Sequence, residues 1–279
     1  MRVQTALMPP LKPFYLKTIY RLFLLVAIFA TSHGASAQIP QDTIKQILGQ
    51  QVGMDDALPD EKNPDGLHFQ FSKIDESTQA QGHFVRYRAY VAGAAEKKKY
   101  ALAIWKIDSE PQIIADEVYV NAKGLLMANK PRSDQESSSS VDSDDEIDLA
   151  IQAARGEPVR FVLATADHKT LIPGTVVPYP IESNGGSCRL EVRLATKDGQ
   201  AVLIYADGLP PNKEVSFQSI SAEQPETAKF TANAHGHAAT IDLPYVDGKD
   251  SGVLKLTLAL EGCNASVEIP WGKGSYHPL

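Results

Sequence analysis

Cysteine is nearly absent: Cys188 and Cys263 are the two in 279 residues. Their spacing excludes a C-x-x-C redox pair. No G-x-S-x-G nucleophile elbow, H-E-x-x-H zinc helix, P-loop or G-x-G-x-x-G turn occurs either. Those gaps remove the locally encoded hydrolases, zinc proteases and nucleotide binders, and no motif calls for a cofactor. They leave sites assembled in space, such as a Ser/His/Asp constellation or paired carboxylates, which need no local spacing. Long apolar runs are missing too. LFLLVAIFA, over residues 22–30, falls short of the roughly 20 residues that span a bilayer. Positive charge is scarce, with 27 Lys+Arg against 34 Asp+Glu.

The N-terminus holds what positive charge the export machinery reads. Arg2, Lys12, Lys17 and Arg21 precede the apolar run, and TSHGASA follows it with Ala35 and Ala37 placed for cleavage before Gln38. Residues 1–37 therefore read as a signal peptide; retention as an uncleaved anchor is the alternative. No cysteine follows the signal, which argues against a lipoprotein. The expected location is secreted or periplasmic, with no membrane span after cleavage. Removing residues 1–37 leaves 23 basic against 34 acidic residues, a formal charge of −11. Such a surface repels nucleic acid. The short basic run EKKKY, at residues 96–100, reads as a solvated hairpin tip. In an exported chain an even cysteine count suggests a disulfide.

In the second half, CRLEVRLA alternates: Cys188, Leu190, Val192 and Leu194 share one face, Arg189, Glu191 and Arg193 the other. That is a half-buried strand. AVLIYA, EVSFQSI, AKFTAN, HAATIDL, VLKLTLAL and CNASVEIPW follow as strands, separated by KDGQ, GLPPN, VDGKDSG and EGC. Seven short strands at regular spacing predict an antiparallel β-sandwich over residues 183–279, ending in a C-terminal tail. Both cysteines fall on inward faces of terminal strands, which predicts a Cys188–Cys263 bridge.

Three stretches, VLIYADGLPPNKEVSF, FTANAHGHAATIDLPY and SGVLKLTLALEGC, resemble the bacterial immunoglobulin-like or fibronectin type III-like modules of exported proteins over residues 185–271. The likeness lies in a glycine-proline-asparagine turn before one strand and a glycine turn before another. The cysteines depart from the antibody pair. The resemblance implies a scaffold used in adhesion, binding or spacing, and it brings no catalytic residues.

TANAHGHAATIDLPY raises a question of metal. His235 and His237 on one strand face would be candidate zinc ligands, with Asp242 and Asp247 as further donors. In the resemblance, however, NAHG is a turn. A glycine at position 236 bends the chain between the histidines, and the expected outcome is no metal.

The first half opens with PQDTIKQILGQQ, a helical candidate with Ile44, Ile47 and Leu48 on one stripe, inside an N-terminal helical and loop segment over residues 38–66. LHFQFSKI, HFVRYRAYVAG, YALAIWKI, DEVYVNA, LLMAN, EPVRFVLATAD and TLIPGTVVPYPI read as strands of a first sandwich over residues 67–182. Residues 131–143 form an acidic, serine-rich loop with almost nothing to bury. Asp142, Asp144 and Glu146 could suggest calcium, but Ile147 stands where an EF-hand loop needs glycine. Ser143 with Glu146 makes a capping box, and Gly156 follows Arg155, which predicts a short inserted helix over residues 144–155. PYPIESNGGS is the expected linker.

The fold class expected is mainly β: two tandem immunoglobulin-like antiparallel sandwiches with one short helix. Trp105, Trp271, Tyr205, Tyr245 and Tyr276 could form a sugar-stacking platform, with Trp105, Trp271 and Tyr276 the leading ligand candidates. Packing explains the two tryptophans as well. The reading is a non-catalytic exported protein that engages a protein or glycan partner at the surface or envelope. A carbohydrate-binding accessory module and an extracytoplasmic hydrolase are the alternatives.

Overall fold

Val85, Tyr87, Ala89 and Val91 are buried, while Arg86, Arg88 and Tyr90 between them are half-buried. That period of two makes a strand with one face on a core. The computed structural model describes residues 67–80, 82–94, 98–109, 111–128, 145–165 and 170–279. Among them there is strand and no helix. Residues 1–37, where a signal peptide is expected, the 38–66 segment with its helical candidate, and the expected acidic loop over residues 131–143 lie outside the described residues.

In chain order the first strands are β1 (His68–Gln79), β2 (Gly82–Ala92), β3 (Tyr100–Trp105), β4 (Gln112–Val120), β5 (Leu126–Ala128), β6 (Asp145–Glu146), β7 (Asp148–Ile151), β8 (Val159–Thr165) and β9 (Leu171–Val176). They form an open three-stranded sheet in the order β1-β2-β7 and an open six-stranded sheet in the order β6-β5-β4-β3-β8-β9, antiparallel throughout. Both sheets contribute to one buried cluster that includes Val85, Tyr87, Leu102, Leu149, Phe161 and Leu163. Phe69, Phe71 and Phe161 meet in it, with ring centroids 4.8–6.2 Å apart.

The remaining strands are β10 (Ile181–Gly185), β11 (Cys188–Leu194), β12 (Val202–Asp207), β13 (Glu214–Ser221), β14 (Gln224–Thr231), β15 (Ala238–Asp242), β16 (Ser251–Leu260) and β17 (Cys263–Gly272). They make two open four-stranded sheets, β10-β11-β12-β15 and β14-β13-β16-β17. Val192 and Ile204 from one sheet share a buried cluster with Phe217, Leu254, Leu256 and Trp271 from the other. The Cys188–Cys263 disulfide joins β11 to β17, and thus the two sheets.

Three expectations need correction. The helix over 144–155 is not there: Asp145–Glu146 and Asp148–Ile151 are strands. Asp148 and Ala150 are exposed while Leu149 and Ile151 are buried, so a period of two overrides the local capping signal. EKKKY is no hairpin tip, because the strands it connects, β2 and β3, belong to different sheets. PYPIESNGGS is mostly not linker, because β10 runs through it and pairs Ile181 with Val192. Cys188 consequently sits on the second strand of its set, not the first.

The two sets of sheets touch directly. Leu194 N–H donates to Gly156 O at 2.8 Å, and Leu279 N–H donates to Ala153 O at 3.2 Å. Leu279 O accepts from His83 N at 3.0 Å and from Gln152 Nε2 at 3.0 Å. Ile107, from the β3–β4 connection, is buried in the cluster of the second set. Several bonds of about 1 kcal/mol each hold the joint.

Candidate functional site

The histidine turn is built by Asn233. Its Oδ1 accepts from His235 N at 2.9 Å and from His237 N at 3.0 Å. Gly236 lies at φ +77°, the left-handed region where a side chain is strained. The two rings stand 6.5 Å apart, tilted by 44°. His237 Nδ1 is 2.6 Å from Asp207 Oδ1, and Asp207 also lies 3.8 Å from Arg189. The other donors go elsewhere. Asp242 accepts from Leu243 N at 2.9 Å, and Asp247 accepts from the Tyr245 hydroxyl. Among the described residues no three His, Cys, Asp or Glu side chains cluster as a metal site.

Asp207 belongs to a charged network on the outer face of the β10-β11-β12-β15 sheet. Arg189 pairs with Glu182 and, at 2.7 Å, with Glu191, which also accepts from Arg193 at 2.7 Å. The Arg193 guanidinium lies 4.4 Å from the Tyr205 ring centroid.

Asp242 is a largely buried carboxylate. Burial pushes its carboxyl above the ordinary Asp range, and nearby Glu226 adds to this, while bonds from Leu243 N and Ser219 oppose it. Its Oδ2 is buried without a hydrogen-bond partner. A folded value raised above the unfolded one contributes stability below the ordinary Asp range and loses it as pH rises through the folded value. Asp242→Asn is therefore expected to melt above the wild type at pH 7, with the difference closing as the pH falls from the raised folded value towards about 3.9. Parallel melting curves across that range would show that Asp242 is solvated.

The aromatic candidates do not assemble. Trp271 is fully buried and offers no face to a ligand. Tyr276 is half-buried, and its hydroxyl donates to Glu157 Oε2 at 2.8 Å. Burial, and then that carboxylate, push its ionisation well above the usual tyrosine range. Glu157 is itself fully buried and accepts from Ala154 N at 2.9 Å. Tyr245 is 46% exposed beside Asp247. Trp105 is half-buried on the six-stranded sheet, opposite Arg160.

That sheet carries the feature that strand alternation alone did not bring out. Tyr100, Leu102, Phe161, Leu163 and Ile172 point to the core, so the residues between them form the outer face. One row of that face runs Leu171–Ala164–Ala101, and the next runs Pro173–Val162–Ala103–Ile113. Ile113 is 64% exposed, and its neighbour Ile114 46%. The signal lay in YALAIW and VRFVLAT, where alanine and valine stand at outward positions that normally carry polar residues.

No family model matches the chain, and no curated protein matches it. A solved structure described as a tetra-tandem repeat in the extending region of a large adhesion protein is similar at 15% identity, with a TM-score of 0.24. The match covers 76% of this chain and 49% of that one, so this chain spans about half its length. A superposition this loose carries no argument about the present chain.

Proposed function

We propose that the protein is a non-catalytic exported binding protein built from two tandem immunoglobulin-like β-sandwiches, which engages a protein partner at the cell surface or in the envelope. The observation that carries this reading is the apolar outer face of the six-stranded sheet, with Ile113 at its exposed margin. Outward rows of Ala, Val, Pro and Ile suit a partner that brings its own apolar surface. A sugar platform calls for several exposed aromatics, and the described aromatics of this face, Trp105 and Tyr119, are both half-buried. The tied joint supports the same reading, because it holds both modules at a fixed spacing. Placing a photoreactive amino acid at Ile113 in exporting cells is expected to yield a discrete protein adduct on irradiation. Ile114→Glu in the same background is expected to abolish it. Adducts that do not depend on Ile114, or a saturable glycan that protects Trp105 instead, would overturn the proposal.

A further inference from the structure

Beyond β17 the chain leaves the second set of sheets and crosses to the first. Its last anchors on the second set are Lys273, whose N–H donates to Asp250 O at 2.9 Å, and Ser275, whose hydroxyl donates to Asp198 O at 2.9 Å. Tyr276 then spans the joint. Its ring packs against the buried cluster of the second set, and its hydroxyl donates at 2.8 Å to Glu157 Oε2, in the connection from β7 to β8. Pro278 bridges to Ala154, and Leu279 N–H donates to Ala153 O at 3.2 Å. Leu279 O accepts from His83 N and from Gln152 Nε2, each at 3.0 Å. Residues 276–279 thus grip the β7–β8 connection and the start of β2 while rooted in the other set.

The first set is shaped to receive them. A Cβ at Gly82 would lie 2.8 Å from Leu279 O and 2.2 Å from Gln152 Nε2, so glycine there leaves the seat open. What holds the segment is hydrogen bonding, with little burial. His277 and Pro278 are exposed, and Leu279 is 41% exposed. Each set of sheets, by contrast, has a buried cluster of its own. Segments with few buried apolar contacts and water-accessible bonds open at far lower cost than a core.

We propose that residues 276–279 are a releasable strap. Docked, they fix the angle between the two sets of sheets. Lifted, they leave both sets folded and the joint resting on contacts such as the Leu194–Gly156 bond and the buried Ile107. Lifting also takes the tyrosine bond from Glu157, a fully buried carboxylate, which draws water into the joint and loosens it further. The strap concerns the spacing of the modules and stands whether or not the outer face of the six-stranded sheet has a partner.

The test is hydrogen exchange on the purified protein and on a variant lacking residues 276–279. The reporter is the Leu194 amide, which donates to Gly156 across the joint. The amides of Leu163 and Leu256, buried on interior strands of the two sets, serve as core references. The deletion is expected to speed exchange at Leu194 by about tenfold or more while the two core amides stay within about twofold of the wild type. Tyr276→Phe, which keeps the ring packing and loses the bond to Glu157, is expected to fall between. Spin labels at the exposed positions 72 and 255 are expected to give one narrow separation in the intact protein and a broad one in the deletion. Unchanged exchange at Leu194 overturns the proposal, and so does an unchanged label separation. Equal acceleration at Leu163 and Leu256 overturns it too, because the segment would then be part of the global fold and not a strap.

Discussion

Replacing Cys188 and Cys263 together by alanine is expected to destabilise the second set of sheets by about 4–5 kcal/mol. The bridge spans 75 residues of sequence, and closing a loop of that length in the unfolded chain has about that effect in the chain-entropy model. For a unit of this size the loss lowers the melting temperature on the order of 15–30 °C. Both sulfurs are buried, at 4% and 3% residue exposure, between sheets that share one cluster. The first set has a cluster of its own around Val85, Leu102 and Leu163. Amides of those residues are expected to keep most of their exchange protection in the double variant. Protein purified from an oxidising compartment should show almost no free thiol when denatured without reductant. Two thiols per chain, or an unchanged melting temperature, would contradict this account.

Why that bridge was legible in the sequence and the joint was not is a matter of range. CRLEVRLA, VLKLTLAL and CNASVEIPW alternate cleanly, so period two alone assigned Cys188 and Cys263 to inward faces. PYPIESNGGS reads as a linker, yet β10 runs through it. Gly185 has a different reason to be glycine: a Cβ there would lie 2.3–2.5 Å from the backbone of Asn264 and Ala265. The residue allows β10 to approach β17, a contact about 80 positions away that no local window contains. The helix over 144–155 failed for a related reason. Ser143, Glu146 and Gly156 satisfy the helix-end rules, yet Leu149 and Ile151 are needed by a core that lies across β2. Ile107 and the joint depend on contacts between the halves, and neither half encodes them alone.

Trp271→Ala is expected to cost about 3–5 kcal/mol, the range for removing a large buried aromatic side chain. Trp271 is fully buried on β17 and sits directly across the ladder from Gly252. A Cβ at Gly252 would lie 2.8–3.0 Å from the indole, so the ring occupies the space that a side chain on β16 would fill. Removing it empties both places at once. Its Nε1–H is buried without a hydrogen-bond partner, a state that itself costs about 1–3 kcal/mol. Trp271→Phe discards that orphan donor while keeping most of the volume, so its net cost is expected to be about 1 kcal/mol, well below that of alanine. Equal losses for Phe and Ala in denaturant unfolding would show that the indole N–H is bonded in solution. If Trp271 instead served as a stacking face for a sugar, alanine would abolish glycan binding with little change in melting. Its complete burial in the core predicts the reverse order of effects.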